Sequence, residues 1–288
     1  MTGDSVGAVE RQSPDAAFGL LASDVRVRIV QALGEAGDPM SFSALREAVA
    51  ERDSGKFNYH LKRLTGHFVA RTDDGYRLSL AGQRVYGAIQ SGAYTADATL
   101  KPVEFAGPCP VCGHETLVAA YADEQATLSC PACEEWRNEF AFPPATLDQF
   151  APADLPAAFD RWMAATVAKV VRGFCANCGG RVDGRLVAPE EDAPQPARVR
   201  YDCGRCGDSL TASPFLPVLS DPVAVGFFHR QGIDVWADPS WRYLGPEMAL
   251  SVELDDTDPV EATITVTSPG ESLVARVDAD AAFTVTTG

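Results

Sequence analysis

The stretch "SGKFNYHLKRL", residues 54–64, decides how the first third of the 288-residue chain is read. Phe57, Leu61 and Leu64 recur at the spacing of one helical face. Ser54 stands where an N-cap is wanted. The other face collects Lys56, Asn58, Tyr59, Lys62 and Arg63. The stretch therefore reads as a helix with one side for a core and a cationic side for solvent.

Helical spacing continues upstream. Phe18 and Leu21 suggest a short helix. Val25, Ile29 and Leu33 share a face in "SDVRVRIVQALGEAG", with Ser23 as N-cap and Gly34 or Gly37 as the stop. Phe42, Leu45 and Val49 repeat the pattern in "SFSALREAVAER". Downstream, Val69–Thr72 and Tyr76–Leu78 read as short strands joined at Asp73-Asp74-Gly75, since Asp-Gly is a hairpin signal. A closing helix brings Leu80, Val85 and Ile89 to one side.

Three helices, a hairpin and a closing helix describe a winged helix-turn-helix over residues 14–94, after a flexible tail at 1–13. Its third core helix is the one such a fold inserts into the DNA major groove. The run "FGLLASDVRVRIVQALGE … FSALREAV … SGKFNYHLKRLTGHFV … DDGYRLSLAG" resembles the ArsR-like winged-helix regulators of halophilic archaea, with "YHLKRL", "FV" and the short wing as the specific part. The resemblance implies a dimeric, site-specific transcription regulator. By chemistry, Asn58 suits adenine, and Lys56 or Arg63 suits guanine or a phosphate. Tyr59 suits a phosphate or a thymine methyl. Arg71 and Arg77 suit the minor groove or the backbone. Ser54 and Lys62 complete the expected double-stranded DNA contact set. The cysteines with which ArsR-type repressors sense metals have no counterpart, because residues 1–94 contain none.

The net charge is −16, and its distribution matters more than its size. Residues 1–94 hold 11 Lys plus Arg and 11 Asp plus Glu. The remaining 13 basic and 29 acidic residues place the whole excess after residue 94. Only Lys56, Lys62, Lys101 and Lys169 are lysines. Such an acidic, lysine-poor chain resembles proteins of a halophile's cytoplasm, where carboxylates maintain solubility. Segregation leaves Lys56, Lys62, Arg63, Arg71 and Arg77 free to meet a duplex. No run of about 18 apolar residues occurs, and "MTGDSVGAVERQSPD" lacks the form of a secretory signal. The expected location is the cytoplasm, with no membrane partner.

All eight cysteines lie in Cys-x-x-Cys pairs: Cys109/Cys112, Cys130/Cys133, Cys175/Cys178 and Cys203/Cys206. This spacing suits zinc-ribbon knuckles, and Gly113, Gly179 and Gly207 follow the second cysteine of three pairs. Pairing in sequence order closes the shorter loops. The expectation is two structural zinc ions in four-thiolate shells with no open coordination position. Iron would use the same ligands, and redox thiols are a further alternative. His114, His67 and His229 read as surface or packing residues.

The region 95–214 thus reads as two zinc-ribbon-like modules with a helix at about 154–174. Leu155, Phe159, Trp162, Met163, Val167, Val170 and Phe174 fall on its apolar stripe, a packing face or a dimer contact. Residues 215–288 read as a short helix starting at Pro222 and antiparallel strands in "ALSVEL", "EATITVTS", "SLVARVD" and "AFTVTTG". The fold class is multidomain α+β. No phosphate loop, paired carboxylates or nucleophile with a base points to an enzyme. The leading function is a DNA-binding transcription regulator acting as a homodimer. The alternative is an adaptor that binds transcription machinery without reading DNA.

Overall fold

The computed structural model describes residues 12–133, 135–188, 197–243, 248–255 and 259–288. It divides into two compact units, Met1–Ala96 and Asp97–Gly288. The class is mixed α+β, with nine α-helices, one 3-10 turn and four antiparallel sheets among the described residues. None of these helices is long and apolar enough to cross a membrane. The tail expected over residues 1–13 lies outside the described residues, except for Gln12 and Ser13.

The first unit runs α1 (Pro14–Gly19), α2 (Asp24–Ala36), α3 (Phe42–Ala48), α4 (Ser54–Leu64), β1 (Val69–Thr72), β2 (Gly75–Leu78) and α5 (Leu80–Gln90). Its core is built by α2 and α4. Val25, Ile29, Val30 and Leu33 meet Leu45, Phe57, Leu61 and Leu64, all nearly water-free. The Phe42 ring stands edge-on to Phe57 with centroids 5.1 Å apart. β1 and β2 pair as a hairpin with Val69 opposite Leu78, and Met40 adds one further bridge to Tyr76.

Three readings of this unit need correction. Ser54 is not the N-cap. Asp53 is, accepting from the amides of Gly55 (2.8 Å) and Lys56 (3.0 Å), and a carboxylate satisfies two free amides while meeting the positive helix end. Phe18 is 70% exposed because six-residue α1 buries nothing; Leu20 and Leu21, just after it, pack on the core instead. Leu80 is 71% exposed because α5 meets the core through Gly82, where a Cβ would fall 2.1 Å from the Phe68 carbonyl oxygen. Val85 and Tyr86 supply the side-chain packing.

The second unit begins with the meander β3 (Leu100–Ala106), β4 (Thr116–Ala122), β5 (Gln125–Ser129) and β6 (Arg137–Ala141). After the 3-10 turn Pro144–Gln149 comes α6 (Leu155–Val171), then the three-stranded sheet β7 (Val182–Val187), β8 (Arg198–Cys203) and β9 (Ser209–Ala212). Short α7 (Phe215–Val218), α8 (Pro222–Arg230) and α9 (Ser240–Tyr243) lead to a second meander, β10 (Ala249–Asp255), β11 (Glu261–Ser268), β12 (Glu271–Val277) and β13 (Phe283–Thr287). Alternation fixes the inner face of this last sheet: Ala262, Ile264 and Val266 on β11, Leu273, Ala275 and Val277 on β12.

One core joins the β7–β9 sheet to α8 and the last sheet, so it draws on both sides of residue 215. A second core fills the first meander with Leu117, Tyr121, Leu128, Phe142 and Phe159. Helix α6 belongs to both, through Phe159 near its start and Val170 near its end. Within α6, Asp160 is 2% exposed and accepts from the Ser240 amide (2.9 Å) and hydroxyl, tying α9 to the helix. Burial raises the Asp160 carboxyl above its ordinary range. The stripe expected to reach Phe174 stops earlier: Gly173 turns the chain at φ 89°, and Phe174 is 57% exposed. Trp162 is 41% exposed, its indole N–H donating to the Ala141 carbonyl (3.0 Å). The acidic, proline-rich stretch "APEEDAPQP", residues 188–196, lies from residue 189 on outside the described residues.

The packing makes a graded prediction. Leu61→Ala should cost about 2–5 kcal/mol by leaving a cavity. It should raise hydrogen exchange across α2 and α4 in the intact chain. Tyr59→Ala, on the exposed face, should shift stability by less than about 0.5 kcal/mol. Equal protection in the two variants would contradict this arrangement of α4.

Candidate functional site: two four-cysteine centres and a cationic helix

Each four-cysteine centre is assembled from two loops. Cys109 and Cys112 follow β3, and Cys130 and Cys133 lie between β5 and β6. Cys175 and Cys178 precede β7, Cys203 ends β8, and Cys206 lies between β8 and β9. The pairs group in sequence order, and within each group all sulfurs lie within 4.8 Å of one another. The closest separations are 3.8 Å for Cys109–Cys133 and 3.7 Å for Cys112–Cys130. In the second centre they are 3.7 Å for Cys175–Cys206 and 3.6 Å for Cys178–Cys203. Four sulfurs placed tetrahedrally about 2.3 Å from one ion stand about 3.8 Å apart. The donor sets therefore fit a thiophilic cation in closed four-coordination.

The loops are shaped for it. Cys109 donates its amide to the His114 carbonyl (2.8 Å) and accepts from Gly113 (2.9 Å), which folds the knuckle on itself. The same pair of bonds closes the knuckles at Cys175 (Gly180, 2.7 Å; Gly179, 3.1 Å) and Cys203 (Asp208, 2.9 Å; Gly207, 3.0 Å). Gly113, Gly179 and Gly207 have φ of 72°, 67° and 76°, a region that favours glycine. Amides also point at sulfur: Val111 at Cys109 (3.4 Å), Ala132 at Cys130 (3.4 Å) and Gly180 at Cys178 (3.3 Å).

These surroundings divide the thiols. Amides of Cys206 and Arg205 hold the Cys203 thiol down at about 7. Burial alone would raise Cys130, but the amides of Cys133 and Ala132 bring it down to about 7. Burial pushes Cys109 up to about 12. A bound cation removes that conflict by taking all four sulfurs as thiolates. Asp208, which the sequence did not mark, lies 3.4 Å from the Cys175 sulfur.

On α4, Tyr59, Lys62 and Arg63 are exposed, at helical spacings that make them neighbours. Asn58 is half-buried. Arg71 and Arg77, on adjacent strands of the hairpin, are exposed. No ion pair among the described residues engages Lys62, Arg63, Arg71 or Arg77. Lys56 is not free as expected: its ammonium lies 2.9 Å from the Glu51 carboxylate. That partner was hidden because it precedes the helix by a loop, outside the i, i+4 spacings a sequence displays. His60 packs edge-on against Tyr59 at 5.2 Å, and its buried Nδ1 has no partner among the described residues. Burial lowers its pKa, helped by Arg26 and Lys56.

A family model described as "Domain of unknown function (DUF7351)" matches residues 106–283, a span that contains all eight cysteines. A second, "Domain of unknown function (DUF7347)", matches residues 14–89 and so takes in α1–α5. No curated protein and no solved structure matches the chain.

Native mass spectrometry should find two metal ions per chain. Cys109→Ser and Cys203→Ser should each lose one and keep the other. A strong chelator should raise hydrogen exchange over β3–β9 while α2 and α4 stay protected. Full protection of β3–β9 after complete metal removal would show that the centres do not organise those loops.

Proposed function

We propose that this chain, which belongs to the family described as "Domain of unknown function (DUF7351)", is a sequence-specific DNA-binding transcription regulator with two structural zinc ions. In this reading residues 14–94 are an ArsR-like winged helix-turn-helix working as a homodimer in the cytoplasm. Helix α4 reads the major groove, and the β1–β2 hairpin is the wing beside it.

The observation that carries the reading is the uncommitted cationic set on one helix and one hairpin. Lys62 and Arg63 project from α4, and Arg71 and Arg77 from the hairpin, in a stretch, residues 1–94, whose 11 basic and 11 acidic residues balance. Eleven helical residues span about 16 Å, enough to follow several base steps within a groove. Tyr59 adds an exposed aromatic ring beside Lys62 and Arg63. Zinc is favoured over iron because closed four-cysteine ribbons with no open position are its commonest structural setting. A colourless protein with two zinc equivalents is the outcome that separates it from iron.

Lys56 alters the detail. Held by Glu51, it serves better to stiffen the α3–α4 turn and direct the helix start than to reach a base edge. Ser54 and Asn58 remain candidate contacts near that start. The same pair favours the second reading, an adaptor for transcription machinery, since it keeps a carboxylate close to the proposed DNA face.

A shift assay with the protein's own promoter DNA at high salt tests the choice. Lys62→Ala and Arg63→Ala should each weaken binding about tenfold, or lower the salt slope by about one for a phosphate contact. Lys56→Ala should do less. Unaltered affinity in the Lys62→Ala/Arg63→Ala double variant would transfer the weight to the adaptor.

A further inference from the structure

The second unit contains an open cleft of about 850 Å³ floored by α6, with Trp162, Met163, Thr166 and Val167 on its lining. Its other walls include β6 of the first meander and β9 of the three-stranded sheet. Among the described residues both are edge strands: β6 pairs only with β5, and β9 only with β8.

The hydrogen-bond register shows which backbone groups those edges offer. Phe142 donates to Glu124 and Cys130 donates to Trp136, so these are bonded pairs. Bonded pairs alternate along an antiparallel ladder, so Asn138 and Phe140 bond to β5. Arg137, Glu139 and Ala141 then turn their N–H and C=O groups outward. Trp162 confirms the direction by donating to the Ala141 carbonyl. On β9, the Cys203–Asp208 bond sets the same alternation, and Ser209 and Thr211 face outward. All five outward residues line the cleft. No backbone hydrogen bond among the described residues engages the outward amides of Arg137, Glu139, Ala141, Ser209 or Thr211.

We propose that this cleft binds an extended, cationic peptide segment of a partner protein, which adds as a strand to the free edge of β6. Edge addition supplies main-chain hydrogen bonds, and alternate side chains fall toward the apolar floor of α6. The cation requirement comes from the surroundings. In the cleft itself Arg137 is paired with Glu139, and the lining charges balance in number, Arg137 and Arg198 against Glu139 and Asp208, so the cleft sets no charge of its own against that of the unit. The unit around it carries the whole −16, with 13 basic and 29 acidic residues. That field draws in a basic segment and opposes edge-to-edge pairing of two copies. The proposal is independent of what α4 binds.

The probe is a blocked, fluorescein-labelled octapeptide alternating valine and lysine, titrated into the metal-loaded full chain and followed by anisotropy. Saturable one-to-one binding is expected. The same peptide with every amide N-methylated keeps the charge but cannot extend a sheet, and should bind at least about tenfold more weakly. Glu139→Pro removes one outward amide without touching the ladder to β5, and should lose at least about tenfold. Glu139→Ala, which keeps the amide, should stay within about threefold of wild type. Metal content and hydrogen exchange establish that the proline variant is folded, and the N-methylated arm does not depend on it. Equal binding of the two peptides would reduce the effect to charge and overturn the proposal. So would full binding by folded Glu139→Pro, or no binding of the parent peptide.

Discussion

Four sulfurs gathered within 4.8 Å are a constraint that the rest of the second unit has to satisfy. Thiols can sit together, but the amides directed at them favour thiolates, and adjacent thiolates repel. The opposing pulls on Cys109 and Cys130 show the conflict within a single centre. A divalent cation would resolve it and convert the two short loops of a centre into one fixed corner. The strands then follow, because both knuckles of a centre lie at strand ends. A corner that holds the turn between β5 and β6 also sets where the edge of β6 faces.

Helix α6 transmits that order. It lies between the two centres in sequence, and its two ends enter different hydrophobic cores. Phe159 packs against Phe142 with centroids 4.8 Å apart, and Val170 packs with the sheet of the second centre. A buried carboxylate on the same helix would be unfavourable alone, since burial raises Asp160. Its two bonds from Ser240 offset this by capping α9, which carries Trp241 back to the first meander. The cleft floored by α6 is thus bounded by elements that are each tied to a four-cysteine centre or to a core.

How much of this was legible in the sequence depended on whether the cause was local. Cysteine spacing was legible because thiolate coordination demands both residue type and a two-residue gap. The buried face of α4 was legible because Phe57, Leu61 and Leu64 obey helical periodicity. The last sheet showed itself by alternation on β11 and β12. What escaped was decided by neighbours distant in space or just outside a helix. Leu80 matched the pattern of a core residue, but Gly82 brings the backbone of Phe68 too near for that side to be the packed one. Ser54 and Asp53 are both good caps, and only the geometry of the turn chose the carboxylate. The outward register of β6 depends on the pairing of Phe142 with Glu124, which no pattern within either strand reveals.

Contact, rather than total charge, decides how a cation of α4 is held. Salt shortens the screening length, to about 3 Å at 1 M, so an exposed charge answers chiefly to what stands directly against it. What governs Lys62 and Arg63 is whether a carboxylate stands within direct contact, and among the described residues none does. Lys56 shows the other outcome, because the Glu51 carboxylate stands in direct contact with it, in an exposed pair that weakens as salt rises. Selection on such a surface therefore acts residue by residue at contact range. Direct contact, as at Lys56, is what takes a cation of this unit out of play, and Lys62, Arg63, Arg71 and Arg77 have no such contact among the described residues.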